Sequence, residues 1–306
     1  MRKREKLAAF IVASITFATL TGCTSQSSTN LEINSAVAIS LDVSGLSSAK
    51  SVIALANGSA EIISALGLKS ILIGRDIAST DSDLKDIPIV TSGHQVVAEK
   101  IIALGPDLLL IDKTTGPAQA LDTIRSAGIS VVEIPEVWQL NQIPEKVNSV
   151  ATAIGAPDLG RQLNVAMQSQ IVKLRKSTAR TRIIFLYLRG GSAIYLIGGK
   201  GSGADSLIKA IGALDVGAEE LANPFNALSS EVMATLNPEI ILVMTNGLAS
   251  VGGVDGLVAL PGIAQTLAGR EKKIIAVDDS LLLSFGPRTP DLLLQLQAAI
   301  LKLVKQ

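Results

Sequence analysis

An internal repeat constrains the fold of this chain more than any other feature of its sequence. Residues 99–110 (EKIIALGPDLLL) align without gaps to residues 231–242 (EVMATLNPEIIL). In each copy the pattern predicts a short helix that begins at the glutamate, a turn at the proline and then a buried strand. A generic helix–turn–strand unit would give a similar pattern, but the copies occupy equivalent places in two halves. The repeat therefore predicts two similar lobes with a cleft between them.

Short apolar runs alternate with helical patterns on both sides of the repeat. Strands are predicted at residues 52–55, 70–73, 108–111, 131–134 and 182–188. Such alternation is typical of βαβ units, so we predict an α/β fold of two Rossmann-like lobes with mainly parallel sheets. Ser92 and Ser229 are expected to cap the repeated helices, and Gly67 and Gly212 to end helices.

The region between residues 140 and 178 shows no strand pattern. Ile143, Val147 and Val150 recur at helical spacing, and similar spacing continues to about residue 174. We therefore predict one long α-helix that joins the lobes, with a kink where Gly155 and Pro157 interrupt it. A helix of roughly 35 residues would span about 50 Å and resist bending. Such a joint predicts small lobe movements and a largely preformed cleft.

The N-terminus has the layout of a secretory signal. Four basic residues are followed by a mostly apolar stretch from Leu7 to Leu20, which is short for a membrane span, and then by Cys23. The small residues before Cys23 resemble a bacterial lipoprotein cleavage box, which predicts lipidation of its thiol. The alternative is a transmembrane anchor with a buried cysteine.

Domain boundaries follow from these patterns. We predict a signal peptide at 1–22, a flexible tether at 23–48, an N-terminal lobe at 49–139, a linking helix at 140–178 and a C-terminal lobe at 179–306. A lipid on Cys23 and a polar tether would hold the protein, as a monomer, on the outer face of the cell membrane.

Composition excludes several functions. The chain carries 27 basic and 27 acidic residues, and this balance argues against a nucleic-acid binder. A single cysteine and a single histidine exclude an intrachain disulfide, a thiolate zinc cluster and a multi-histidine metal site. An enzyme with His94 as general base would need a nucleophile or an acid within reach, and the sequence has no Gly-x-Ser-x-Gly elbow and no paired acids. We therefore predict a binding protein, not an enzyme.

Seven short segments carry a resemblance to a known family. They are residues 74–80 (GRDIAST), 92–94 (SGH), 115–117 (TGP), 187–190 (YLRG), 201–207 (GSGADSL), 247–256 (GLASVGGVDG) and 284–290 (SFGPRTP). In this order, the chain resembles the helix-linked (class III) substrate-binding proteins of ABC importers, in particular haem-binding lipoproteins of the actinobacterial kind. The resemblance implies that the cleft captures haem b as a transported ligand and delivers it to a membrane permease.

His94 and Tyr187 are the candidate axial ligands of the haem iron, which imidazole and phenolate groups commonly hold. His94 lies in a glycine-flanked loop just before the first repeated helix, and the resemblance implies its ligand role; a surface histidine is the alternative. Tyr187 lies at a strand end two residues before Arg189, on the same face, so the guanidinium could stabilise a phenolate. The resemblance implies that this Tyr-x-Arg supplies the second ligand. Tyr195 is the alternative ligand, or part of the core or of the cleft wall. For both tyrosines the other alternative is a side chain that is merely packed.

Arg75 and Arg288 are the candidate partners of the haem propionates. Arg75 follows a predicted strand end, and Arg288 lies in a loop near the C-terminus. Either arginine could equally cap a helix or form an ion pair between the lobes. Met233 and Met244 are thioether donors, but their positions within a predicted helix and strand favour the core.

Glu99 and Glu231 open the two repeated helices. The resemblance implies that one glutamate on each lobe pairs with arginines of the permease, and these two match that placement. The alternative is that the helix dipole favours a glutamate in the first turn.

Two other ligands remain open for a protein of this fold, a siderophore and a cobalamin-type chelate. Their sites usually need several arginines or aromatic side chains, and aromatic residues make up only 3% of this chain.

Overall fold

The computed structural model describes residues 28–31, 33, 49–92, 95–174 and 180–305. The predicted signal peptide and Cys23 lie outside these residues. Among the helices that the structure describes, none combines the length and the apolar character needed to cross a bilayer.

The helices and strands alternate along the chain. In order, the strands are β1 (Thr29–Leu31), β2 (Val52–Ala54), β3 (Leu72–Arg75), β4 (Thr91–Ser92), β5 (Gln95–Val96), β6 (Leu108–Ile111), β7 (Ser130–Glu133), β8 (Arg182–Arg189), β9 (Ile194–Gly198), β10 (Leu214–Asp215), β11 (Phe225–Ala227), β12 (Ile240–Met244) and β13 (Ile274–Val277). The α-helices are α1 (Ser59–Ala65), α2 (Ala98–Leu104), α3 (Ala118–Ser126), α4 (Ile143–Ala153), α5 (Pro157–Ile171), α6 (Ala204–Ala210), α7 (Val216–Glu220), α8 (Ser230–Leu236), α9 (Thr245–Ser250), α10 (Gly253–Val258), α11 (Leu267–Arg270), α12 (Asp279–Leu283) and α13 (Thr289–Val304).

The N-terminal lobe contains a parallel sheet with the strand order β3-β2-β6-β7. Its central strands are apolar throughout and fully buried, because helices cover both faces of a parallel sheet. A small antiparallel hairpin, β4–β5, lies beside this sheet at the edge that faces the other lobe.

The C-terminal lobe contains a larger mixed sheet with the order β1-β13-β12-β8-β9-β11, and β10 also pairs with β8. Pairing is parallel from β1 to β8 and antiparallel from β8 through β9 to β11. The predicted α/β fold with mainly parallel sheets is confirmed. The antiparallel edge arises because β8 turns directly into β9 through the short 190–192 segment, without a crossover helix.

The predicted flexible tether is wrong at residues 29–31. This segment is the edge strand β1, which pairs in parallel with β13. Leu31 and Ile33 are buried in the core, with exposed fractions of 7% and 8%. The polar run at residues 24–30 favoured a tether, but Leu31 and Ile33 follow it at alternate positions. This spacing places both side chains on one face of an extended segment.

The prediction of one continuous linking helix is also wrong. The linker consists of two helices, α4 and α5, separated at residues 154–156. Gly155 takes a left-handed conformation (φ 79°) that ends α4, and Pro157 occupies the first turn of α5. The Asn164 side chain of α5 donates to the Pro144 carbonyl (3.2 Å) and to Asn148 (2.9 Å) on α4. The helices therefore pack side by side as a hairpin, so the linker is not a 50 Å rod.

The two copies of the internal repeat form the same succession of a seven-residue helix, a left-handed residue and a buried strand. Gly105 and Asn237, at equivalent positions after α2 and α8, both adopt a left-handed conformation, with φ of 58° and 34°. Ser229 caps α8 by accepting from the Val232 amide (3.2 Å), as predicted. The predicted cap at Ser92 is wrong, because Ser92 lies in β4 and α2 begins after Val97.

One apolar core connects both lobes and the linker. It includes Ile62 of α1, Val147 of α4, Phe185 of β8 and Leu293 of α13, each fully buried. Close-packed interiors deform little. The shared core therefore supports a preformed cleft, although the linker is not the rigid rod from which that cleft was predicted.

Candidate ligand-binding cleft

A cavity of about 840 Å³ lies between the two lobes. This volume is in the usual range of about 300–1,000 Å³ for small-molecule sites. Carboxyl ends of parallel strands from both lobes form its walls: Asp76 follows β3, Asp112 follows β6, Asn246 follows β12 and Asp278 follows β13. Such strand ends are the usual location of ligand sites in open α/β sheets.

The structure places Tyr187 in the cleft wall. It lies near the end of β8, directly opposite Leu196 of β9, which also lines the cavity. The ring packs edge-on against Phe225 at a centroid distance of 5.6 Å and an interplanar angle of 65°. These contacts hold the phenol at the cavity surface while leaving the side chain half-buried.

Arg189 accompanies Tyr187, as the strand spacing predicted. Its Nε donates to the Tyr187 Oη (3.2 Å), its Cζ lies 5.1 Å from the tyrosine ring centroid, and its Nη1 donates to Asp279 (3.3 Å). Burial lowers the pKa of Arg189, but the contacts with Tyr187 and Asp279 outweigh it, so the net pKa is raised. A fixed positive charge therefore lies beside the phenol oxygen.

His94 lies outside the described residues. The strands on either side of it, β4 and β5, are described, and Thr91 of β4 and Val96 of β5 line the cavity. The ligand role of His94 therefore stays a prediction.

The assignment of Tyr195 to the cleft is wrong. In the β8–β9 pair, Tyr195 lies opposite Leu188, whereas Tyr187 lies opposite Leu196. Successive side chains of a strand point to opposite faces, so the two tyrosines lie on different sides of the sheet. Tyr195 packs against the core cluster that contains Leu188, on the face away from the cleft.

The assignment of Arg75 to the propionates is also wrong. Its side chain is buried (9% exposed) and does not line the cavity. The guanidinium donates to the backbone carbonyls of Leu84, Ile87 and Ser79 at 2.8–3.0 Å. Arg75 therefore holds the segment after β3 in place.

Arg288 forms an ion pair between the lobes, which was one of the alternatives for this residue. Its prediction as a partner of the propionates is wrong. Its Nη2 donates to Glu61 of α1 at 3.0 Å, and its Nε lies 3.4 Å from Asp81 without the geometry of a hydrogen bond. All three side chains are buried, with exposed fractions of 3–4%. The group, which we call the junction cluster, joins the C-terminal lobe to the N-terminal lobe behind the cleft.

Lys146, on α4, is a buried lysine (3% exposed) that the sequence analysis did not single out. Its Nζ donates to the Ser284 carbonyl (2.7 Å) beside a smaller cavity of about 140 Å³ that adjoins the cleft. Burial lowers the pKa of Lys146 to about 8, although Glu61, Asp112 and Glu136 act to raise it. The helical pattern offered a signal, because Lys146 precedes Val147 and Val150 on the buried side.

Lys146 predicts a specific dependence of stability on pH. Between about pH 8 and 10.5 the unfolded chain binds a proton at this lysine that the folded chain does not, so stability should rise with pH. Relative to Lys146→Met, the wild type should gain roughly 2 kcal/mol of unfolding free energy between about pH 7.5 and 9.5. Urea unfolding of both proteins measures this gain, with the non-titrating methionine variant as reference. Parallel pH dependences would contradict the prediction.

Trp138 and Met244 also line the cavity. Trp138 is the single tryptophan of the chain, is 37% exposed and packs beside Gly203 of the other lobe. Met244, at the end of β12, is buried (2%) yet reaches the cavity wall, whereas Met233 lies in the core as expected. The sequence signal for Trp138 was the position of a large aromatic residue in the loop that follows β7.

Glu99 and Glu231 are exposed in the first turns of α2 and α8. Helix α2 ends beside the amino end of β6, and helix α8 ends beside the amino end of β12. The first turn of each helix therefore lies toward the opposite, carboxyl edge of the sheet. Both glutamates are therefore at the edge of their lobe that forms the cleft.

Two α/β lobes that share a core and enclose a cleft define a two-lobed ligand-binding protein. The family of periplasmic binding proteins matches residues 52–281, and the chain belongs to this family. Its members serve as substrate-binding proteins of ABC transporters and are not enzymes, which confirms the predicted class.

Two solved structures are similar to this chain over most of its length. The haem-binding protein HmuT is 29% identical, with a TM-score of 0.79 over 89% of this chain and 96% of that one. The periplasmic haem-binding protein RhuT from Roseiflexus sp. RS-1 is 34% identical, with a TM-score of 0.77 over 83% of this chain and 98% of that one.

Two curated relatives are more distant. An uncharacterised ABC transporter substrate-binding lipoprotein, YvrC of Bacillus subtilis, is 24% identical over 78% of this chain and 76% of its own length. The vitamin B12-binding protein of Vibrio campbellii is 23% identical over 67% of this chain and 74% of its own length.

Proposed function

We propose that this protein is an extracytoplasmic haem receptor that binds haem b between its lobes and delivers it to an ABC transporter permease. The observation that carries the proposal is the Tyr187–Arg189 pair on the cleft wall. A phenol beside a fixed guanidinium is suited to bind ferric iron as a phenolate. The similarity to the haem-binding proteins HmuT and RhuT supports the same ligand.

His94 is the proposed second axial ligand. It belongs to the other lobe, between two strands whose residues line the cavity. An imidazole and a phenolate from opposite lobes would hold one iron between them. His94→Ala should then weaken haem binding and shift the Soret maximum, and an unchanged spectrum and affinity would reject this role.

A titration of the purified mature domain with ferric haem tests the proposal. We expect a saturable Soret band with a defined stoichiometry, together with a charge-transfer band typical of iron-bound phenolate. Hydroxocobalamin titrated in parallel is the control for a corrinoid ligand. Failure of haem to bind at micromolar concentrations would refute the proposed function.

A corrinoid is the second candidate ligand. The similarity to a vitamin B12-binding protein favours it, and so does the abundance of oxygen acceptors on the cleft wall. The side chains of Asn57, Thr80, Thr114 and Asp278 all line the cavity and would suit the amide N–H groups at the edge of a corrin ring. Tight binding of hydroxocobalamin, without binding of haem, would establish this alternative.

Glu99 and Glu231 are proposed to dock the protein on the permease. Glu99→Gln combined with Glu231→Gln should leave haem affinity intact but reduce uptake by a reconstituted transporter at least about tenfold, since charged rim residues govern encounter and register. The matched control combines Glu145→Gln, on the linker, with Glu271→Gln, at the opposite edge of the C-terminal sheet. Normal uptake by the double variant would exclude docking through these residues.

Lipidation of Cys23 is proposed to anchor the protein to the outer face of the membrane as a monomer. The family is periplasmic, and the relative YvrC is named a lipoprotein. Cys23→Ser should release the protein into the medium or periplasm while preserving haem binding.

A further inference from the structure

Asp279 lies in the cleft wall as the first residue of α12, and its two carboxylate oxygens have different partners. Oδ2 accepts from Nη1 of Arg189 at 3.3 Å. Oδ1 accepts from the backbone amide of Asn246, in the first turn of α9, at 2.9 Å. One side chain therefore joins β8, which carries Tyr187 and Arg189, to the segments that follow β12 and β13.

The turn that contains Asp279 is held in place by hydrogen bonds of its own. The preceding residue, Asp278, caps α12 by accepting from the amides of Ser280 and Leu281 at 3.0 and 3.1 Å. The Asp279 side chain is 20% exposed, so water covers only part of the carboxylate. Because its second oxygen is bound to the Asn246 amide, the carboxylate has little freedom to turn away from Arg189.

Arg189 needs such an anchor, because 41% of its side chain is exposed. A long side chain at a surface loses much rotamer freedom when it is held in one conformation. The hydrogen bond from its Nε to the Tyr187 Oη, at 3.2 Å, is at the long end of the usual range. Since the guanidinium is planar and rigid, the contact of Nη1 with Asp279 also fixes the direction in which Nε points.

We propose that Asp279 is a positioning residue for the iron ligand: it holds Nε of Arg189 on the Tyr187 oxygen, and this hydrogen bond limits how strongly the oxygen donates electrons to the haem iron. This role rests on the proposed haem function and deepens it. A hydrogen bond donated to a ligand atom withdraws electron density from that atom, and contacts of this kind tune a haem iron. Without Asp279, the guanidinium would leave the oxygen part of the time, and Tyr187 would become a stronger donor.

The charge-transfer band of the ferric haem complex measures this effect, because its energy falls as the ligating oxygen becomes a stronger donor. Asp279→Ala removes both contacts of the carboxylate and should move the band to longer wavelength, by at least about half of the shift that Arg189→Leu produces. Asp279→Asn keeps an oxygen that accepts from Arg189, so its band should lie between those of Asp279→Ala and the wild type. Asp122→Ala, on the exposed surface of α3, makes the same charge change away from the cavity and should leave the band in place.

A double-mutant cycle separates an action through Arg189 from a direct action of the Asp279 charge on the haem. Arg189→Leu combined with Asp279→Ala should give the same band as Arg189→Leu alone, because no guanidinium is left to position. If the shifts of the two single variants add in the double variant, Asp279 acts on the haem independently of Arg189 and the proposal is overturned. An unchanged band in Asp279→Ala would overturn it as well.

The position of the guanidinium is also measurable in the haem-free protein. Nuclear magnetic resonance should show slow solvent exchange of the Arg189 Nε–H in the wild type and loss of this protection in Asp279→Ala, because a hydrogen-bonded proton exchanges only when its bond opens. Equal exchange rates in the two proteins would overturn the positioning role and leave the haem function standing. Failure of the wild type to bind ferric haem would instead refute the function, and with it any role of Asp279 at the iron.

Discussion

Tyr187→Phe should abolish the phenolate charge-transfer band of the ferric haem complex and weaken haem binding by roughly 100-fold or more. Loss of even an outer partner of a metal ligand typically costs about 10–100-fold in affinity, and this substitution removes the ligating oxygen itself. The phenylalanine ring retains the edge-on contact with Phe225, so the cleft wall is preserved. Absorption titration of ferric haem into the variant measures both effects.

The chain offers a matched control, because Tyr195 is its only other tyrosine. Tyr195 lies on the opposite face of the same sheet, so Tyr195→Phe should leave the spectrum and the affinity unchanged. Arg189→Leu should give an intermediate result, since it removes the hydrogen bond that orients the phenol oxygen but leaves the phenol. If the band survives in Tyr187→Phe and disappears in Tyr195→Phe, the geometric assignment of the ligand is wrong.

The sequence was sufficient for those features that depend on local pattern. The alternation of apolar runs predicted the α/β lobes, and the repeat predicted corresponding turns, which Gly105 and Asn237 form with the same left-handed backbone. The position of Arg189 beside Tyr187 also followed from local geometry, because residues two apart share one face of a strand. No long-range information was needed for these inferences.

The errors concern features that long-range contacts decide. Which face Tyr195 occupies depends on the register between β8 and β9, and the partner of Arg288 is Glu61, 227 positions earlier in the chain. The linker turned back at Gly155 because α4 and α5 gain a packed interface that a straight rod would forgo. A helical period alone does not distinguish a long helix from a hairpin of two helices.

Two aspartates of the cleft had a signal in the sequence that passed unused. Asp112 and Asp278 each directly follow an apolar strand, β6 in one lobe and β13 in the other. Since ligand sites of open α/β sheets lie at the carboxyl ends of the strands, these positions predicted carboxylates at the ligand site.

Arg288→Met should lower the free energy of unfolding by about 3–5 kcal/mol, the cost of leaving buried charges without their partner. The variant removes the positive charge from the junction cluster, where Glu61 and Asp81 are each 4% exposed. Burial already raises the pKa of Asp81, which Arg288 acts to lower, so the unpaired carboxylates would be still less stable in the variant. Urea unfolding monitored by the fluorescence of Trp138 measures the loss.

The triple variant Arg288→Met, Glu61→Gln, Asp81→Asn separates charge from packing. Neutral partners remove the unpaired charges, so much of the lost stability should return. Haem affinity of Arg288→Met, measured under conditions where it remains folded, should stay within about threefold of wild type, because Arg288 does not line the cavity. If an Arg288 variant of normal stability binds haem tenfold or more weakly than the wild type, this conclusion is wrong and Arg288 contacts the propionates. A lost charge-assisted contact of that kind costs about 1.4 kcal/mol or more.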